Sequence, residues 1–117
     1  MPKWTDLKSM QIGNRSFSIY ITKYSNGCFL SLSESETDRL GSLFLSVKTF
    51  NKIDSITIIP GKYGDVFSTI LSQMIASSVD GIAIVSLFFL SEVDDNIMKV
   101  LTSQIQKLLV NEKRNRI

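Results

Sequence analysis

Hydrophobic and polar residues alternate along the first half of the chain with the period of two that is typical of β-strands. This alternation predicts four strands, at residues 15–22, 28–33, 41–49 and 55–59. The first two are joined by Asn26-Gly27, a dipeptide that favours the positive φ angles of a tight hairpin turn. The polar residues 34–39 are predicted to form a loop, and Pro60-Gly61 ends the fourth strand.

In the second half, apolar residues recur at spacings of three and four, the pattern of an amphipathic helix. One helix is predicted over residues 65–77 and another after Ser91, which stands three residues before Asp94 as in a helix N-terminal cap. Between them, residues 81–90 are apolar on both faces, as expected of a central strand covered on each side. The sequence predicts an α+β fold with a single, mainly antiparallel sheet of five to six strands and two amphipathic helices, in the order β-β-β-β-α-β-α.

The length of 117 residues favours one domain with a core of its own. Residues 1–14 show no pattern that we can assign, and we interpret them as an N-terminal arm whose flexibility stays open. Residues 15–117 are predicted to form a single α+β domain. Hydrophobic residues make up 44% of the chain and charged residues 21%, which is typical of a folded globular protein.

The sequence shows no signal for export or membrane insertion. The first residues lack the apolar centre of a signal peptide, and the longest apolar run, residues 81–90, is about half as long as a membrane-spanning helix. The single cysteine, Cys28, cannot form an internal disulfide and is predicted to be a core residue. We expect a cytoplasmic protein, with the nucleus open as a second location, and no membrane partner.

The chain contains no histidine, the commonest general base and a frequent metal ligand. Ser-His-Asp and Cys-His arrangements therefore cannot form, and one cysteine with scattered carboxylates does not make a zinc site. We predict no catalytic residues, no cofactor, no metal ligands, and a protein that is not an enzyme. The net charge of +2 is spread along the chain, so we expect no nucleic-acid partner.

Three polar segments leave alternatives open. Residues 60–65 join a strand to a helix, where amides often bind anions, but they lack the spacing of a phosphate loop. Asp94-Asp95 could act as paired acids or hold a cation, although a charged first helical turn is the simpler interpretation. The charged residues 112–116 are interpreted as a solvated helix end, with contact to an acidic partner as the alternative.

The predicted sheet has two faces, and two helices can cover one of them. An aliphatic row is the obvious surface for the helices: Phe17, Ile19, Ile21, Leu30, Leu32, Leu43, Leu45 and Val47. The other face then mixes aromatic and small hydroxyl residues with few charges, as the centre of a protein–protein interface does. The candidate dimer interface consists of Ser18, Tyr20, Thr22, Phe29, Ser31, Phe44 and Ser46. In the alternative, one helix covers each face, and a register slip of one residue would exchange the faces.

Several segments together resemble a known family. They are Phe17-Ser18-Ile19-Tyr20, Cys28-Phe29-Leu30-Ser31-Leu32, Ile58-Ile59-Pro60-Gly61, the helix at 65–77, Ile84-Val85-Ser86 and the helix with Gln104-Ile105. These patterns of apolar and small residues are similar to the proteasome assembly chaperone 4 family, over roughly residues 17–112. Residues 40–43 are equally similar to the sister chaperone 3, so the resemblance leaves open which half of the pair this chain represents.

The resemblance implies a non-enzymatic assembly chaperone for the proteasome core particle. Members of this family pair with a sister chaperone of the same fold, here chaperone 3-like, and bind proteasome α-subunits during formation of the α-ring. A homodimer of the chain alone is also open. The resemblance supplies no catalytic motif, and no residue role is transferred from it.

Two other functions compete with this interpretation. A roadblock-, longin- or profilin-like scaffold would also be a small helix-and-sheet domain that dimerises, but it would bind GTPase regulators, trafficking complexes or actin. A small enzyme or ligand-binding protein that uses the turn at residues 62–65 is the third hypothesis.

Overall fold

The computed structural model describes residues 4–34 and 39–114, and within them the side chains of residues 8–34 and 39–110. The elements in chain order are β1 (Trp4–Ile12), β2 (Arg15–Tyr24), β3 (Gly27–Ser33), β4 (Ser42–Thr49), β5 (Lys52–Ile59), α1 (Asp65–Val79), β6 (Ile82–Phe88) and α2 (Asp95–Arg114). The predicted α+β fold, with one sheet of five to six strands and two helices, is confirmed.

The six strands form one sheet in the order β1-β2-β3-β6-β4-β5. All neighbours are antiparallel except β3 and β6, which are parallel. In the chain, the β4–β5 hairpin and α1 precede β6, and β6 lies between β3 and β4 in the sheet. The most apolar strand therefore lies in the middle of the sheet, where both of its edges are hydrogen-bonded.

Strand β1 lies in the segment to which the sequence assigned no element. It pairs with β2 along its whole length, from Trp4 opposite Lys23 to Ile12 opposite Arg15. Its own sequence, WTDLKSMQI, carries an acid and a lysine among apolar residues. The hydrogen-bond ladder with β2 and the packing of Met10 and Ile12 against the core therefore stabilise this edge strand.

The turn between β2 and β3 differs from the prediction. Tyr24 pairs with Gly27, so the two loop residues are Ser25 and Asn26. Neither Asn26 nor Gly27 has a positive φ, and that prediction is wrong. Glycine is needed here for another reason, because a Cβ at Gly27 would lie 2.4 Å from the carbonyl oxygen of Ile82 on the neighbouring strand.

The N-terminal cap of α2 is Asp94. The backbone N–H of Ile97 donates a 2.8 Å hydrogen bond to Oδ1 of Asp94, which satisfies one of the first amides of the helix. The sequence placed the cap at Ser91, and this is wrong by three residues. The Ser91 carbonyl oxygen instead accepts a 3.1 Å hydrogen bond from Nη2 of Arg15.

Both helices pack on the same face of the sheet. One cluster of buried side chains joins β2, β3 and β6 to the apolar stripes of α1 and α2, and its largest members are Phe17, Ile19, Ile21, Leu30, Leu32, Val85, Leu71, Ile75, Leu101, Ile105 and Leu109. Cys28 belongs to this cluster, as predicted. The alternative with one helix on each face is wrong, and so is the expectation that β6 is covered on both sides, since the helices cover only one.

Candidate protein–protein interface

The sheet face opposite the helices is called the open face here. Register determines its members, because residues directly opposite each other on neighbouring strands point to the same side of a sheet. Across β3, β6, β4 and β5, one row runs through Phe29, Ile84, Leu45 and Ile56. The remaining members that bear on function are Ser18, Tyr20, Thr22, Tyr24, Ser31, Ile82, Phe88, Leu43, Val47 and Ile59.

The apolar centre of the open face lies on β6 and β4. Ile82 and Ile84 stand beside Leu43, Leu45 and Val47, and all five are half-buried although no helix covers them. On β2, β3, β6 and β4, which the structure describes completely, no charged residue occupies an open-face position, whereas β5 places Asp54 opposite Val47 and Lys52 opposite Thr49 at the edge of this face. A contiguous apolar surface of this kind marks an interaction site more often than a solvated face.

Five of the seven predicted interface residues lie on the open face. They are Ser18, Tyr20, Thr22, Phe29 and Ser31, all of them half-buried. They occupy β2 and β3, beside the aliphatic centre. The sequence therefore located one flank of the surface and missed its middle.

The two remaining predicted residues, Phe44 and Ser46, point to the helices, and their assignment to the interface is wrong. Phe44 pairs with the core residue Val85 and is 2% exposed. Ser46 is fully buried, and its hydroxyl lies 2.7 Å from that of Ser72 on α1 and 2.8 Å from that of Ser55 on β5. Both belong to the interior of the monomer.

The error at β4 has a simple cause. This strand, SLFLSVKT, is apolar at consecutive positions, so its period of two does not say which face is buried. The aliphatic residues Leu43, Leu45 and Val47 looked like the core side, but pairing with β6 places them on the open face. The signal available in the sequence was that β4 carries apolar residues on both faces, which indicates that both faces of the sheet are buried in contacts.

The open face is bounded at one end by the segment that leads into β4. The backbone N–H of Arg39 donates to the hydroxyl of Ser33 at 3.1 Å, and that of Gly41 donates to the hydroxyl of Ser86 at 3.1 Å. The guanidinium carbon of Arg39 lies 5.5 Å from the centre of the Phe88 ring. Polar groups on this end of the face are thus satisfied within the chain, and the apolar surface begins beyond them.

At the opposite end, the open face contains a cavity of about 250 Å³. Its walls are formed by Tyr24, Asn26, Gly27, Cys28, Phe29, Ile82 and Ile84. Because Gly27 carries no side chain, the floor between β3 and β6 is backbone and the walls are mostly apolar. The cavity is a concave site within an otherwise pleated surface.

A buried ion pair sets the electrostatics beside β2. The carboxylate of Glu34 accepts hydrogen bonds from Nε and Nη2 of Arg15, at 2.7 and 2.6 Å, and from the backbone N–H of Leu90 at 2.9 Å. Burial by itself raises the pKa of Glu34, but these hydrogen bonds and the charge of Arg15 together lower the pKa below its ordinary value. The hydrogen bond to Glu34 raises the pKa of Arg15 in turn, more than burial lowers it.

The turn at residues 60–65 does not form an anion site like a phosphate loop. The backbone N–H of Gly61 donates to Oδ1 of Asp65 at 3.1 Å, so a carboxylate of the chain itself stands at the start of α1. Gly64 adopts a left-handed conformation, with φ at 76°, and its carbonyl oxygen accepts hydrogen bonds from Ser68. An acidic side chain at this position disfavours a second anion.

Other candidate chemistry is limited in the described part of the chain. No group of three or more acidic or cysteine side chains there could hold a metal ion, and Asp94 caps a helix. No helix in the same part is long and apolar enough to cross a membrane. Residues 35–38 of the predicted loop and the side chains of residues 112–116 lie outside the described residues.

A second apolar depression, of about 360 Å³, lies on the far side of the helices. It is lined by Phe67, Ile70, Leu71 and Met74 of α1 and by Met98, Lys99, Thr102, Ser103 and Gln106 of α2. It faces away from the open face, so any partner that covered the sheet would leave it accessible.

Comparisons with known proteins bear on the fold. No family model matches the chain, and no curated protein matches it. Among solved structures, the chain is similar to a protein in the crystal structure of a novel chaperone complex for yeast 20S proteasome assembly. The match has a TM-score of 0.67, 10% sequence identity and coverage of 98% of both chains. The chain therefore shares its fold with a protein of that complex, and the resemblance predicted from the sequence is confirmed at the level of the fold.

Proposed function

We propose that this protein is a non-enzymatic assembly chaperone for the proteasome core particle. In this proposal it pairs through its open face with a sister chaperone of the same fold, and the pair binds α-subunits during formation of the α-ring. The chain alone forms a homodimer through the same face. The protein works in the cytoplasm, and the nucleus stays open as a second location.

The observation that carries the proposal is the uncovered apolar face in a fold shared with a proteasome assembly chaperone. The similarity runs over nearly the whole of both chains, 98% of each. The chain has no histidine and, in its described part, no metal cluster. The uncovered apolar surface therefore supports a function in binding.

A second sheet is the partner that suits the open face best. Apolar sheet faces are commonly buried by stacking on another sheet about 10 Å away, with strand directions within about 30° of each other. Five neighbouring strands of about seven residues make a surface about 24 Å across and about 23 Å along the strands. This flat area of about 550 Å² is about two thirds of the ~800 Å² per partner that a standard interface buries.

The test is recovery of the tagged protein from its own cells under mild conditions, with mass spectrometry of the co-purifying chains. Proteasome α-subunits together with a second small chaperone are the expected result. An Ile56→Glu variant should lose the small chaperone, whereas Ile70→Glu should keep it. Recovery of GTPase regulators, trafficking proteins or actin in place of α-subunits would overturn the proposal in favour of an interaction scaffold.

A further inference from the structure

Phe50 combines two unfavourable features at the tip of the β4–β5 hairpin. Thr49 pairs with Lys52, which leaves Phe50 and Asn51 as the two residues of the turn. Phe50 has a φ of 56°, in the left-handed region that favours glycine, and its side chain is 99% exposed. A left-handed backbone costs an aromatic residue about 1–2 kcal/mol, and an apolar ring in water is unfavourable as well.

The hairpin tip is held firmly to the rest of the sheet. The backbone N–H of Lys48 donates to the carbonyl oxygen of Gly81 at 2.9 Å, and its Nζ lies 3.2 Å from Oδ1 of Asp80. Gly81 directly precedes β6, and the N–H of Ile82 donates to the carbonyl oxygen of Asn26 at 3.0 Å. The base of the hairpin is therefore bound to the rest of the sheet, and Phe50 lies at the same end of the sheet as the cavity at Tyr24 and Ile82.

Stacking two copies about a two-fold axis would bring the hairpin tip of one copy close to the cavity of the other. Consider two copies stacked open face to open face about an axis that runs along β6. This rotation leaves each strand end at the same end of the sheet but reverses the order of the strands. As a result, β4 of one copy faces β3 of the other, and β5 faces β2. The β4–β5 turn then lies over β2 and β3, next to the cavity that Tyr24 and Phe29 line together with Gly27 and Ile82.

We infer that the chain forms a two-fold dimer in which Phe50 of each copy enters the cavity at Tyr24, Phe29 and Ile82 of the other. The inference rests on the pairing of open faces in the proposed function and adds its symmetry and its anchor residue. In a two-fold interface every contact occurs twice, because a residue of the first copy that contacts a residue of the second is matched by the reverse contact. The cavity of about 250 Å³ accommodates one phenyl ring, and buried aromatic side chains in pockets are typical interface hot spots.

The experiment is sedimentation equilibrium of the full chain by itself, as wild type and as Phe50→Gly, Phe50→Tyr and Asn51→Gly variants. Glycine accepts the left-handed φ, so Phe50→Gly should raise the melting temperature of the dilute monomer by a few degrees while weakening the dimer at least 100-fold, since two rings are lost per dimer. Phe50→Tyr should stay within about tenfold of wild type, and Asn51→Gly, which keeps the ring, should leave dimerisation unchanged.

The cavity is tested by a double-mutant cycle with Ile82→Ala. If Phe50 enters the cavity, the dimer-weakening effects of Phe50→Gly and Ile82→Ala should be non-additive, with a coupling of at least about threefold in the dissociation constant. A dimer that Phe50→Gly leaves intact but Ile56→Glu dissociates would overturn the anchor and keep the pairing of open faces. A wild-type chain that stays monomeric throughout would overturn the dimer, whereas the proteasome assignment depends on the separate co-purification.

Discussion

Ile56 and Ile70 expose nearly equal fractions of their side chains, 59% and 60%, but lie on opposite sides of the sheet. Ile56 stands on β5 opposite Leu45, within the open face. Ile70 lies on the outer side of α1, at the depression between the helices. The two residues therefore form a matched pair that separates the effect of covering the sheet from the effect of any exposed isoleucine.

The first prediction uses this pair. Ile56→Glu and Ile70→Glu should each change the free energy of unfolding of the monomer by less than about 1 kcal/mol, because neither side chain is in the core. Only Ile56→Glu should raise the dissociation constant of the homodimer, by at least about tenfold, since it places a carboxylate in an apolar contact. Sedimentation equilibrium measures the dimer, and urea unfolding measures the monomer. Equal effects of the two variants on dimerisation would contradict the assignment of the interface.

The second prediction concerns Phe44, which the structure places in the core. Phe44→Ala should lower the free energy of unfolding by about 3–5 kcal/mol, because a large cavity forms between β4 and the helices. Val66→Ala, at an exposed position of α1 away from the open face, is the control and should change it by less than about 1 kcal/mol. Chemical denaturation of both variants checks this. If the Phe44→Ala protein had wild-type stability but did not dimerise, the core position of Phe44 would be contradicted and Phe44 would belong to the interface.

The third prediction follows from the lowered pKa of Glu34. A carboxyl whose pKa is lower in the folded than in the unfolded chain stabilises the fold above its unfolded pKa, and this stabilisation is lost as the pH falls through the folded pKa. The wild-type free energy of unfolding should therefore decrease as the pH falls below about 4.5, the ordinary value for glutamate. Glu34→Gln should abolish this part of the decrease.

At neutral pH, Glu34→Gln should lower the free energy of unfolding by about 1.5–3 kcal/mol, because hydrogen bonds to a charged group are lost. Glu92→Gln is the matched control, since Glu92 meets Arg15 through its backbone carbonyl oxygen, at 2.6 Å. Unfolding curves at a series of pH values compare the three proteins. An unchanged pH dependence in Glu34→Gln would show that the pair does not contribute to stability.

The fourth prediction concerns the close approach of β3 and β6. Gly27→Ala would place a Cβ against the Ile82 carbonyl, so it should cost about 1–3 kcal/mol by forcing the strands apart. It should also disturb the cavity, because Gly27 forms part of it. Ser25→Ala, in the exposed turn next to it, serves as the control with little expected effect. Thermal unfolding monitored by circular dichroism distinguishes the two, and equal melting temperatures would contradict the close contact.

Prediction from the sequence succeeded where an element has one clearly apolar and one clearly polar side. The alternation of Phe17, Ile19 and Ile21 on β2 has one apolar side and one polar side, so its buried face was assigned correctly. The apolar stripe predicted for α1 was right at Phe67, Leu71 and Ile75, which are buried, but wrong at Val66 and Ile70, which are exposed. Prediction also failed where the local pattern is ambiguous or absent. Strand β1 carries little apolar alternation and depends on its ladder with β2, and the turn at Asn26 depends on where Tyr24 and Gly27 pair.

The sequence by itself determined the order of the elements after β1, the presence of one more apolar sheet face than the helices can cover, and the resemblance to proteasome assembly chaperones. Tertiary structure alone decided which residues form that face. The hydrogen-bond register between β4 and β6 decides which residues of β4 face the helices. Phe44 lies opposite the core residue Val85, so Leu43, Leu45 and Val47 point to the open face. A period of two states that neighbours point to opposite faces, but only strand pairing says which face meets the helices.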